Sequence, residues 1–380
     1  MVESRLVRIN ARSTLAFALL VVLAVSACSL LTSYQGLEGS GRPLDAMAPD
    51  VAPEAAPADT CRSAHVPPRP AESSDNSSEG VLLAAINSLS LVHSDAAAPS
   101  FGLDLDHHCT CPGPPSCVSR VDAASCDGDG GVDNATENLF RALLNSGVAV
   151  DDNSVREGIS AGLYGIVFRL VGYSGAPDDP HVRFELLNAV SVNDGGRPLF
   201  DGNDSWLLDE QTYHLDLSAF NDLDAYVAGG VLVASIPKLV PKLLLPYLPG
   251  RPALVDLEID EAVVVAKVSR ASSGGLVLSE GQVVGRASTP SWLLQIQRTG
   301  RCADDPSFGS AQALICAYRD IARRSADDDK GRPCESISFG IGFEASPARI
   351  DADAGARVTS PSACEADGAV LDATVGCPGE

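Results

Sequence analysis

Aromatic side chains, lysine and long apolar runs are what this 380-residue sequence has least of. Phe, Trp and Tyr together make up 5% of it, with two Trp, which is poor for a surface that stacks against sugars. Basic residues are outnumbered 27 to 50, a formal net charge of -23, and that argues against a nucleic-acid partner gripped through its phosphates. Lysine accounts for only four of the basic residues, so little amine chemistry is on offer. The apolar run from Leu15 to Val25 is too short to cross a bilayer comfortably. What is present in quantity is 45% hydrophobic residues, a globular proportion, and eleven cysteines, which point to an oxidising compartment rather than the cytosol.

The address lies in the first 28 residues. Arg5, Arg8 and Arg12 precede the apolar run, which ends in small residues, and residues 1–27 read as a signal peptide. The end of that segment, Val25-Ser26-Ala27-Cys28, resembles the lipobox of bacterial lipoproteins. The resemblance implies that Cys28 is acylated and becomes the N-terminus once the peptide before it is removed. Ser29, standing where Asp would retain a lipoprotein in the inner membrane, implies the outer membrane; the periplasmic and the surface-facing leaflet both stay open. Removing residues 1–27 takes away three Arg and one Glu, leaving a mature chain of net charge -25. Anionic head groups repel such a chain, so the expected membrane partner is reached through the acyl chains and not a basic patch.

Residues 28–80 carry scattered Pro, Ala and Ser with no apolar period, as in Val66-Pro67-Pro68-Arg69-Pro70, and are expected to be a tether a few nanometres long. The body is expected over 81–350 and a cysteine-containing tail over 351–380. Val81–Ile86, Leu163–Tyr173, His181–Val192, Ala225–Ile236, Leu254–Ala271 and Leu276–Arg286 are rich in Val, Leu and Ile between Gly, Pro, Asn and Asp clusters, and read as strands. Helices are fewer. Asn134 with Glu137 has capping-box spacing ahead of Leu139, Phe140, Leu143 and Leu144, with Gly147 as a stop; others are expected from Thr289-Pro290 and over Ser310–Arg324. Strands without regular strand-helix alternation predict a mainly β body, a β-sandwich or jelly roll with a few helices and disulfides.

Without Cys28 ten cysteines remain, an even number: Cys61, Cys109, Cys111, Cys117, Cys126, Cys302, Cys316, Cys334, Cys364 and Cys377. Export favours disulfides over a zinc site built from His107, His108, Cys109 and Cys111, whose spacing is not Cys-x-x-Cys. Connectivity is not readable, although Cys364 with Cys377 is the local pair to expect. The same region, 104–134, holds Asp104, Asp106, Asp127, Asp129 and Asp133 among glycines. Oxygen ligands at alternate positions with glycines to let the chain wrap are what Ca²⁺ requires, although Gly131, Val132 and Asn138 at the fifth, sixth and twelfth positions exclude an EF-hand. The plainer reading is a solvated acidic turn in which Asp133 or Asn134 caps the following helix.

Gly102-Leu103-Asp104-Leu105-Asp106, the cysteine loop and Gly131-Val132-Asp133-Asn134 resemble a segment of uncharacterised exported bacterial proteins, many of them lipoproteins, and the likeness continues weakly through Tyr226–Gly230 to Phe339–Phe343. It implies a shared fold and no activity. Catalytic patterns match only on paper. Gly158-Ile159-Ser160-Ala161-Gly162 lacks the strand before and helix after that a nucleophile elbow needs, and Gly340-Ile341-Gly342-Phe343-Glu344-Ala345 is followed by Ser346-Pro347 where a dinucleotide-binding helix should continue. Glu258-Ile259-Asp260-Glu261 resembles the carboxylate strand of jelly-roll glycosidases, but Ala262 stands where the third carboxylate belongs. The expectation is therefore a non-enzymatic binding or envelope-structural lipoprotein with a protein or glycan partner that the sequence does not name. The competing expectation is a glycan hydrolase or carbohydrate-binding protein using Glu258 and Asp260.

Overall fold

The computed structural model describes residues 64–71, 80–92, 101–110, 115–118, 126–128, 130–145, 152–162, 165–210, 220–248, 251–354, 364, 371–372 and 374–378. All of them fall in the unit Pro57–Glu380. Twelve strands occur among them: β1 Val81–Ser90, β2 Gly165–Val171, β3 Asp179–Val192, β4 Ser205–Leu208, β5 Asn221–Ala228, β6 Val231–Leu239, β7 Leu243–Leu248, β8 Arg251–Val255, β9 Ile259–Arg270, β10 Leu276–Ser288, β11 Ser336–Pro347 and β12 Arg349–Ala354. Four α-helices accompany them: α1 Ala135–Asn145, α2 Asp152–Ala161, α3 Thr289–Arg298 and α4 Pro306–Ala317.

The expected sandwich or jelly roll is overturned. Eight strands follow one another antiparallel in the order β3-β2-β1-β11-β10-β9-β6-β5, and β5 pairs back onto β3 through Val182 with Ala225 and Glu185 with Asn221, closing a barrel. The long β3 makes this possible, because its first half closes the barrel while Ala189–Val192 pair with β4, which leads on to β12 outside the closed wall. Closure needs the sheet to coil, and the ladders of β10 slip beside Glu280 and Glu261, both held at positive φ. β7 and β8 form a separate hairpin.

The alternation expected of a one-sided sheet is the alternation a barrel needs, with the buried face turned inward. Phe168, Phe184 and Phe343 meet inside, with ring centroids 5.3 and 5.0 Å apart along that chain of contacts. Gly281 is required beside them, since a Cβ there would lie 2.5 Å from the Phe343 ring. A smaller apolar cluster lies on the outside of β1, β2 and β3, where Trp206 packs against Val167, Leu187 and Ala189.

Several segments differ from expectation for local reasons. The strand expected over 225–236 is two strands reversing at Gly229-Gly230, both at positive φ. The one expected over 254–271 is interrupted, because 256–258 lie outside any strand between β8 and β9. Helix α4 covers 306–317 and not 310–324, starting where Asp305 accepts from the Ser307 N–H at 2.7 Å with Pro306 at the first turn. Helix α2 contains Ser160 itself, which leaves the nucleophile-elbow match without its strand-turn-helix frame. Of the segment read as tether, residues 64–71 lie against the body: Arg69 pairs with Asp224 at 3.0 Å over the Tyr226 ring, whose hydroxyl donates to the Pro67 carbonyl at 2.6 Å.

Candidate cation centre

Outside β10 and β11 sits a cover of loops with little apolar content, fastened by cystines and polar bonds. The Gly102 N–H donates to Gln282 Oε1 of β10 at 2.8 Å, and a Cβ at Gly340 of β11 would lie 2.3 Å from the Phe101 carbonyl. Arg286, buried in β10, forms a bidentate pair with Asp328 at 2.9 and 2.7 Å and donates to the Leu105 and Ala322 carbonyls. The capping expected at Asn134 is present: its Oδ1 accepts from the Glu137 N–H at 3.2 Å, while its Nδ2 donates to Phe101 and Gly340 carbonyls. Helix α1 is thereby fixed to β11.

The same loops bring the carboxylates together. Gly130 and Gly131, both at positive φ, turn the chain so that Gly128 donates to the Val132 carbonyl at 2.8 Å, which returns Asp133 toward Asp127. Leu103 pairs with Asp133 as a short antiparallel bridge, placing Asp104 and Asp106 alongside. One ligating oxygen from each of Asp104, Asp106 and Asp133 lies within 4.8 Å of the others, and all three residues are buried. Asp129, also expected here, lies outside the described residues, as do Cys28, Cys61 and Cys111.

Asp320, which the sequence gave no reason to include, joins the group from a distant part of the chain. It accepts from the Ser338 N–H at 2.8 Å and from its hydroxyl at 2.5 Å. Asp106 accepts from His108 N–H and Ser116 hydroxyl, Asp127 from Thr110 N–H at 2.5 Å, and Asp133 from Leu105 N–H at 2.6 Å. These donors do not offset the crowding. Burial, then the charges of Asp106, Asp320 and Asp127, push Asp133 up to about 10. Burial raises Asp320 to about 7 and Asp127 to about 6, with Asp106 adding to both. Asp104 is raised chiefly by burial, and its Oδ1 is a buried oxygen with no hydrogen-bond partner. Among the described residues no lysine or arginine pairs with these five; Arg286 is committed to Asp328, and His65 stands 3.7 Å from Asp104.

No family model, curated protein or solved structure matches this chain. The site therefore has to be read from its own chemistry. Buried carboxylates crowded without a cation must hold protons, and a side-chain hydrogen bond joins Asp127 to Asp133. A divalent ion at the convergence point can replace those protons. Ca²⁺–oxygen distances of about 2.3–2.6 Å span oxygens separated by up to twice that, which the 4.8 Å limit meets.

The cysteines make the cover rigid. Cys117 is bonded to Cys334, Cys302 to Cys364 and Cys316 to Cys377, so the expected local pair Cys364–Cys377 is wrong: each instead ties the tail to a segment flanking or within α4. Cys109 and Cys126 are also disulfide-bonded, which leaves His107 and His108 no thiolate neighbour among the described residues. His107 and His65 instead converge with Asp104, and His108 pairs with Asp329 at 2.9 Å. Glu258 and Asp260, the carboxylates of the glycosidase match, are both engaged by Arg323, and Glu258 also by Lys238 at 2.7 Å; Trp206 and Trp292 are buried.

Proposed function

We propose that the chain is an outer-membrane lipoprotein, anchored through Cys28, whose β-barrel body carries a structural Ca²⁺ and serves binding or envelope structure with no catalytic role. The observation that carries the cation part is the buried convergence of Asp104, Asp106 and Asp133, with an unpartnered Asp104 oxygen and, among the described residues, no lysine or arginine pairing with them. Oxygen-only donors on loops favour Ca²⁺, which tolerates irregular six- to eight-fold coordination, over Mg²⁺, which demands a near-ideal octahedron. The anchor rests on Arg5, Arg8, Arg12, the apolar run and Val25–Cys28. Against the glycan-hydrolase reading stands the pairing of both its carboxylates with Arg323.

The test is thermal unfolding of the full chain in EDTA, Mg²⁺ and Ca²⁺. With Ca²⁺ at about 100 times its dissociation constant, linkage adds about 2.7 kcal/mol to stability. A melting temperature the same in all three solutions refutes the cation centre. For the anchor, Cys28→Ala is expected to release the protein from membranes or block its processing; unchanged fractionation and migration overturn the lipoprotein reading.

A further inference from the structure

Asp104 belongs to a second cluster whose chemistry is different. One ligating atom from each of His65, Asp104 and His107 lies within 4.8 Å of the others, with both histidines exposed and the carboxylate buried. His65 comes from residues 64–71, the part of the expected tether that lies against the body. The Asp104 N–H donates to the Ala64 carbonyl at 3.2 Å, which sets the two segments side by side, while Pro67 and Arg69 hold the same segment to β5. His107 follows Asp104 by three residues and sits at φ 62, a conformation that strains a non-glycine backbone. Its backbone N–H donates to the Asp104 carboxylate, so the imidazole is carried on a loop fixed to that side chain. The two imidazole rings lie 5.6 Å apart between centroids, tilted by 49°.

The spacing suits a shared ion better than a direct bond. His65 Nε2 stands 3.7 Å from Asp104 Oδ2, beyond hydrogen-bond reach, although the Asp104 side chain is only 1% exposed and its Oδ1 has no partner. Where a histidine of the same loop simply pairs with a carboxylate it closes further, as His108 does on Asp329 at 2.9 Å. Ligands about 2.1 Å from one ion at tetrahedral angles stand about 3.4 Å apart. The 3.7 Å separation is therefore close to one edge of a zinc tetrahedron.

We propose that His65, His107 and Asp104 form a second metal site, for a divalent cation that prefers imidazole, with Zn²⁺ the ion whose geometry it fits. Two nitrogens separate this site from the carboxylate centre: Ca²⁺ and Mg²⁺ take oxygen ligands, whereas imidazole suits Zn²⁺. Asp104 is the third ligand and water the fourth. A carboxylate has two oxygens and can serve two ions, so the two sites can be filled together. His107, expected to find zinc partners in Cys109 and Cys111, finds them through the fold instead, Cys109 being disulfide-bonded. The bound ion fastens residues 64–71 to the cover. This site goes beyond the calcium centre: it shares Asp104 with that centre but does not require it.

The test is calorimetric titration of the metal-free full chain with Zn²⁺, without Ca²⁺ and again in excess Ca²⁺, beside His65→Ala and His107→Asn, the latter chosen because Asn tolerates positive φ. The parent is expected to bind one Zn²⁺ per chain in both buffers. Loss of a mere outer-shell partner of a metal ligand costs about 10–100-fold in affinity, so loss of a ligand should weaken Zn²⁺ at least about tenfold in either variant. Both variants keep Asp104, Asp106 and Asp133, so their thermal unfolding with and without Ca²⁺ should match the parent's, which also establishes that they fold. No Zn²⁺ binding by the parent, equal affinity in both variants, or binding that excess Ca²⁺ abolishes overturns the inference, the last placing Zn²⁺ in the carboxylate centre. A parent whose melting ignores Ca²⁺ while the histidine variants still lose Zn²⁺ refutes the calcium centre alone and leaves this site standing.

Discussion

The barrel and its cover are built from opposite materials. The eight barrel strands contain no cysteine and hold together by closed ladders around an apolar interior. The cover is acidic, poor in apolar residues, and depends on cystines, the buried Arg286 and its own hydrogen bonds. An apolar core is indifferent to redox state and to ions, whereas stapled carboxylates respond to both. The contrast teaches that one chain can place a condition-sensitive structure on a condition-insensitive support, joined here at β10 and β11.

The largest effect should come from the support. Phe184→Ala removes a fully buried ring that contacts Phe168 and should cost about 3–5 kcal/mol, by the same amount in EDTA, Ca²⁺ or reductant. Chemical unfolding under the three conditions checks this. If the loss depends on Ca²⁺, the two regions are not separable as described. Next is the staple: Cys117→Ser with Cys334→Ser should cost about 2–5 kcal/mol and also abolish the response to Ca²⁺, since Ser116, beside Cys117, donates to Asp106. A double mutant that retains the full Ca²⁺ response would show that the loops assemble the centre without the bond. Smaller again is Asp133→Asn, which should erase the Ca²⁺ response while leaving the protein in EDTA as stable as the parent or more so, because it removes one crowded carboxylate without changing shape.

The same contrast governs how much the sequence revealed. Barrel strands were legible because alternation reports burial directly: β1, β2, β3 and β10 lie where Val, Leu and Ile cluster, and α1 starts at its expected cap. Closure was not legible. Sandwich and barrel share one alternation, and they differ here in whether β5 pairs with β3, a relation between strands and not a property of either. β11 was missed as a strand because both its faces are buried along most of its length, and its alternates to Ile and Phe are small Ser and Gly that read as a turn-rich segment and not as a solvent face. In the cover, Asp104, Asp106, Asp127 and Asp133 were visible as a local density of charge. Asp320 and Arg286 were not, since each comes to the site through the fold and neither has a distinctive neighbour in sequence. The cystine partners were hidden for the same reason, the tail reaching back 61 and 62 residues instead of closing on itself.

The smallest expected effect is also the most specific. Asp127 and Asp320 titrate in the folded protein at about 6 and about 7, above the ordinary 3.8, so between that value and the folded one the folded state binds more protons than the unfolded. Stability in EDTA must therefore fall as pH rises from about 4 to about 7, with Asp133, raised further still, adding to the fall beyond that window. Asp305 and Asp372, held below the ordinary carboxylate range by hydrogen bonds from Ser307 and Thr374, act in the opposite sense, so the quantity to measure is the difference between the parent and an Asp127→Asn Asp133→Asn double mutant. From pH 5 to pH 8 in EDTA the parent should lose at least about 2 °C of melting temperature relative to the mutant, the shift that about 1 kcal/mol produces in a domain of this size or somewhat smaller. In saturating Ca²⁺ the sign should reverse, because the ion needs the carboxylates ionised and acid displaces it. Parallel pH profiles for parent and mutant in EDTA would mean that the carboxylates are not crowded in solution, and the cover would then be held by its cystines and Arg286 alone.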